Sequence, residues 1–70
     1  MSGNTDLTPR EQDILKLLTM GKTSRDIAAE LHISVSTVKA HLSSIYSKLG
    51  VTNRTQAAVV GLTIFRQLAG

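Results

Sequence analysis

Helix starts and stops recur four times along this chain of seventy residues, and that punctuation leaves little room for anything but a helical fold. Thr8 is placed to cap a helix, Pro9 suits its first position, where a missing N–H costs nothing, and Glu11 completes a capping box. Ile14, Leu15, Leu17 and Leu18 follow at helical spacing, and Gly21 stops the helix near Met20. Thr23, with Asp26 three residues on, opens a second helix whose apolar stripe is Ile27, Ala28 and Leu31. Ser34 caps a third, which Gly50 ends, and Asn53 opens a fourth with Gln56 in the capping-box position. The expected fold is all-α, with helices over 9–20, 24–31, 35–49 and 54–68, a flexible segment over 1–6 and one domain over 7–70. No segment alternates as a strand and none repeats.

Only His32, Ile33 and Ser34 separate the second and third helices, so the two must cross steeply and touch beside the turn. The close approach needs a small residue, which Ala28 supplies, and Ile27, Leu31, Ile33 and Val38 are spaced to fill the core between the helices. His32 stands where a left-handed backbone is commonly required. A helix-turn-helix, with its second helix held out for a DNA groove, fits this pattern, and so does a helical hairpin within a bundle. The faces of the third helix favour the first. At ~100° per residue, Val35, Val38, Leu42, Ile45 and Leu49 form an apolar stripe, while Ser36, Ala40, Ser43 and Ser47, with Ser44 close by, lie opposite. A face that meets only solvent usually carries Glu and Lys, and this one carries neither. Short side chains let the helix backbone come near a partner, and hydroxyls can bond base edges or phosphates. Lys39 flanks this face and is long enough to reach a guanine. Serine-rich faces also suit contact with another helix.

All five acids (Asp6, Glu11, Asp13, Asp26, Glu30) fall in the first 30 residues, whereas Lys39, Lys48, Arg54 and Arg66 are the only charges after Glu30. A purely basic half suits a polyanion, because each cation over a phosphate releases counterions; chance segregation is the alternative. A chain this short buries a thin core, and without cysteine neither disulfides nor thiolate metal sites can support it. Neither His32 nor His41 has a His, Cys or carboxylate partner at ligand spacing, and His41 reads as a packed, hydrogen-bonded side chain. No serine–histidine–acid set is visible. No enzyme activity, metal, cofactor or small-molecule ligand is therefore expected. No apolar run approaches the ~20 residues that span a bilayer, and the polar start lacks a signal-peptide pattern. A cytoplasmic protein with no membrane partner is expected.

The runs LTPRE (7–11), TSRDIAAEL (23–31), ISVSTVKAHLSSIYSKLGV (33–51) and NRTQAA (53–58) together resemble the LuxR-type helix-turn-helix domain. This is the effector module of NarL/FixJ response regulators in two-component systems and of GerE-like stand-alone regulators. The resemblance implies a bacterial transcription regulator that binds promoter DNA through the third helix and dimerises through the fourth. In such domains the lysine of the TVK run and the residues one and four positions later meet bases, which are Lys39, Ala40 and Ser43 here. Ala40 can only touch a thymine methyl or leave space, and Ser43 stands where a longer or basic residue is common. Readout by DNA shape and water is expected to supplement Lys39. Backbone contacts are expected from Ser34, Ser36 and Thr37 at the start of the third helix, from Ser47, from Thr23 or Ser24, and from Arg54. Lys48 reads either as a further phosphate contact or as an end-of-helix cation. For Glu11 the resemblance adds an ion pair with Lys48 or Arg54 to its capping role.

The fourth helix is apolar nearly all round (Ala57, Ala58, Val59, Val60, Leu62, Ile64, Phe65, Leu68), with Arg66 its only charge beyond the first turn. A helix packed on one side needs about half of these. A two-fold copy is the simplest cover, using Ala58, Val59, Leu62 and Phe65, with Gly61 permitting close approach. A receiver or ligand-binding domain of a longer protein is the other. The expected partners are double-stranded promoter DNA with two half-sites, a second copy, and RNA polymerase. Two other readings compete: a promoter reader like the fourth region of sigma factors, and a protein-interaction module on a helix-turn-helix fold.

Overall fold

The computed structural model describes residues 6–69, with side chains to Gln67, so the expected flexible segment 1–6 lies, except for Asp6, outside the described residues. Four helices run in order, α1 (Pro9–Thr19), α2 (Ser24–Leu31), α3 (Val35–Leu49) and α4 (Arg54–Ala69). The first two start on reciprocal caps. Thr8 Oγ1 accepts from Glu11 N–H at 3.1 Å while Glu11 Oε1 accepts from Thr8 N–H at 2.9 Å. Thr23 and Asp26 repeat the exchange, both bonds at 3.1 Å. Ser34 caps α3 alone, accepting from Thr37 N–H at 3.1 Å.

At α4 the box is wider than expected. Asn53 Oδ1 accepts from Gln56 N–H at 2.9 Å, but the Gln56 side chain passes Asn53 and accepts from Thr52 N–H at 3.0 Å. The helix stops follow a shared geometry. Gly21 (φ +84°) and Gly50 (φ +71°) turn left-handed, and the next N–H reaches back five residues, Lys22 to Leu17 at 3.2 Å and Val51 to Tyr46 at 3.0 Å. Met20 thus caps α1 and is not its last residue. His32 turns left-handed (φ +59°) without being glycine, and Ile33 N–H then bonds Ala28 carbonyl at 3.0 Å.

The core lies between α1 and the other three helices. Ile14, Leu15, Ile27, Val38, Ile45 and Ala57 are fully enclosed, and Leu7, Leu18, Ala28 and Leu42 complete the cluster. Burying each large aliphatic chain contributes about 1.5–3 kcal/mol, enough to hold short helices that would not persist alone. α2 packs on α3 and α1, and α4 packs on α1 and α3; α2 and α4 do not pack on each other.

Gly61 is where the fold departs from expectation. It is buried, and a Cβ there would lie 2.8 Å from Thr19 Cγ2 and 3.0 Å from Leu15 Cδ1. The close approach it permits is that of α4 to α1 within one molecule, so it does not belong to an outward interface. The two glycines separate two kinds of cost. A Cβ at Gly50 meets nothing within 4 Å, so Gly50→Ala should lose about 1 kcal/mol through backbone strain alone, and Gly50→Asn less. Gly61→Val should lose about 2 kcal/mol through overpacking. Urea titrations of the variants measure both.

Candidate nucleic-acid interface

α3 has a buried back and an exposed front. Val38 and Ile45 are fully buried, Leu42 is buried, and Val35 and Leu49 are half-buried. Ser36, Lys39, Ala40, Ser43 and Ser47 are all exposed. The small-residue front runs from Ser36 to Ser47, about 16 Å of helix, and Lys39 rises at its edge. Ser44 turns away from it, half-buried, and helps to lower the Glu11 carboxyl's pKa. His41 is half-buried and His32 exposed.

At the start of α3 three hydroxyls gather. Ser34 Oγ lies 3.1 Å from Ser36 Oγ and 2.8 Å from Thr37 Oγ1, and all three residues are exposed. The cap satisfies Thr37 N–H, which leaves the N–H groups of Val35 and Ser36 without partners inside the helix. Such a helix start is suited to an anion. At the start of α2 the Thr23 N–H and hydroxyl hold the Asp26 carboxyl below its ordinary range.

The cations divide sharply. Lys48 Nζ is 2.7 Å from Glu11 Oε1 and 3.1 Å from the Asp6 carbonyl, and the Glu11 side chain is only 6% exposed. The ammonium hydrogen bond, only partly opposed by burial, holds the Glu11 carboxyl at about 2, well below its ordinary 4.5. Lys48, though exposed, is engaged by Glu11, and its expected role as a phosphate contact gives way to this ion pair. The Arg54 guanidinium donates to the Lys22 carbonyl. Lys22 and Glu30 form an exposed pair at 3.4 Å, of little energetic consequence. Lys39 remains as the cation of the exposed front.

Arg25, exposed in the first turn of α2 and outside any ion pair among the described residues, was missed by sequence reasoning. On a short helix it reads as a solvated side chain. Only the helix-turn-helix arrangement, whose first helix crosses the phosphate backbone, makes it a candidate. Among the described residues no three His, Asp or Glu side chains gather as a metal-binding group, and no helix is long and apolar enough to cross a membrane.

The family model of the luxR family of bacterial regulatory proteins (GerE) matches residues 5–61. The chain belongs to the luxR family. Its relatives include the transcriptional regulatory protein LiaR of Bacillus subtilis, 55% identical over 53 residues that make up 76% of this chain and 25% of LiaR. The response regulator VraR of Staphylococcus aureus is 49% identical over the same shares of each chain. Among solved structures, the transcription factor GerE superposes with a TM-score of 0.74 at 41% identity, covering 83% of this chain and 87% of GerE. The DNA-binding domain of the response regulator ComA, solved in complex with the anti-activator RapF, gives 0.76 at 42% identity, covering 79% and 95%. The luxR-type chain spans about a quarter of LiaR and VraR, and it corresponds to the DNA-binding domain of such regulators.

On the outer side of α4, Val59 is 59% and Leu62 51% exposed and Ala58 is half-buried, while the half-buried Phe65 packs against the core. Shallow grooves flank Val59, one walled by Leu49, Val60 and Thr63 and the other by Val51, Thr55 and Gln56.

The Glu11 pair makes stability depend on pH. The folded carboxyl titrates at about 2 and an unexposed-to-partner one at 4.5, so the pair's contribution is complete above roughly pH 5 and is lost as the pH falls toward 2. Thermal melts across that window should show a steep acid loss in the native domain. Glu11→Gln should flatten it and lower stability at neutral pH by about 2 kcal/mol.

Proposed function

We propose that this domain binds promoter DNA sequence-specifically as a two-fold dimer, with α3 in the major groove and α4 forming the contact between copies. The observation that carries the reading is the exposed front of α3, four small side chains beside one free lysine, on a helix locked from behind by the buried Val38, Leu42 and Ile45. Small side chains bring the backbone near the base edges, and Lys39 reaches guanine acceptors. Ala40 and Ser43 face the neighbouring bases. The hydroxyls of Ser34, Ser36 and Thr37, with the free N–H groups of the first turn, receive a phosphate, and Ser47, Thr23 and Arg25 supply further backbone contacts. So few base-reading groups per domain favour two copies acting together, through Ala58, Val59, Leu62 and Phe65.

A random-pool selection of bound duplexes should return two related half-sites containing a guanine. Lys39→Ala should compress the preference between selected and scrambled duplexes by about tenfold. Val59→Asp should weaken binding to the two-half-site duplex by at least about tenfold, the factor of a 1.4 kcal/mol loss, while leaving a single half-site unaffected. Absence of binding to any duplex at about 50 mM salt, where phosphate contacts are strong, would favour an interaction module instead.

A further inference from the structure

Arg54 was expected at a phosphate, but the structure gives its guanidinium another partner. It donates to the carbonyl of Lys22, thirty-two residues earlier in the chain. The N–H of that same residue is held by the Leu17 carbonyl at 3.2 Å. Both polar groups of the Lys22 backbone are thus pinned, one by α1 and one by α4. The next residue, Thr23, is the cap of α2, locked to its first turn by the paired bonds with Asp26. No packing joins α2 to α4, so this hydrogen bond is the tether between α4 and the start of α2. Arg54 lies on the same rigid helix as Val59, about 7.5 Å away along the axis.

We propose that Arg54 serves DNA binding as a positioning residue: by holding the Lys22 carbonyl it sets the first turn of α2 against the phosphate backbone, and it does not itself neutralise a phosphate. The proposal rests on the reading above that the start of α2 meets DNA. α2 shares the left-handed His32 turn with α3, so a shift at one end of α2 tilts the recognition helix at the other. A second copy bound on α4 would be linked to that tilt through the same tether.

The salt dependence of binding separates the two roles. Each phosphate contact contributes about 0.9 to the slope of log affinity against log salt, whereas a tether between protein groups contributes nothing. Native domain, Arg54→Ala and Arg54→citrulline are titrated by fluorescence anisotropy with the duplex recovered by selection, at several salt concentrations and at a temperature where circular dichroism finds each folded. Citrulline keeps a terminal NH2 donor and the shape of arginine but carries no charge, and a chain of this length is accessible to chemical synthesis. The expected result is that Arg54→Ala binds about tenfold more weakly at every salt with an unchanged slope. Citrulline should stay within about threefold of the native domain on that same scale. Equal losses in both variants with a slope smaller by about 0.9, or native affinity in the folded Ala variant, would overturn the proposal. Should Arg54→Ala not fold, the citrulline chain decides alone by the same two readouts. Native binding to the duplex tests the functional reading itself, so the two failures are distinguishable.

Discussion

The orientation of the recognition helix depends on Glu11, the one charged side chain enclosed in the described domain, because its carboxylate joins the start of α1 to the C-terminal half of α3. It accepts the Thr8 N–H that opens α1 and the Lys48 ammonium from α3. A buried carboxylate is tolerable only when it is paired and hydrogen-bonded, and Glu11 Oε1 takes both a backbone N–H and an ammonium. Apolar packing of Val38, Leu42 and Ile45 holds α3 against the core without fixing its rotation or slide sharply. The ion pair is directional and supplies both. The exposed front thereby keeps a constant presentation, which matters when its side chains are too short to reach and adjust.

That economy of charge continues through the basic half of the chain. Lys48 is engaged by Glu11 and Arg54 by a carbonyl, which leaves Lys39 on the recognition face. A luxR-type domain of this composition has few cations with which to grip a polyanion non-specifically. Close backbone approach, hydroxyl contacts and the free N–H groups of helix starts then carry more of the interaction, and these depend on accurate placement of α2 and α3. Internal hydrogen bonds and external recognition are therefore coupled.

α4 meets two demands that its sequence pattern merges. Gly61 and Ala57 face inward, where the glycine lets the helix settle onto Leu15 and Thr19 of α1. Val59 and Leu62 face outward. A helix apolar on every side gives no sign of which residues face which neighbour. Small residues in particular suit either a close intramolecular crossing or a close dimer.

Element boundaries, caps, the left-handed turn at His32 and the two faces of α3 were legible in the sequence, because each follows from local rules of spacing and hydrogen bonding within a few residues. The luxR resemblance was legible in the same way, as a set of short runs. The resemblance narrowed the partner of Glu11 to Lys48 or Arg54 without choosing between them, and the carbonyl partner of Arg54 was not legible, since a cation on a long flexible stem can reach a carboxylate, a carbonyl or a phosphate, and sequence spacing does not say which is near. Glu11 and Lys48 are 37 residues apart, and Arg54 and Lys22 are 32. The sequence by itself determined four helices and a recognition face. Only the tertiary structure, by bringing distant polar groups within bonding distance, decided which cations serve the fold and which remain free for DNA.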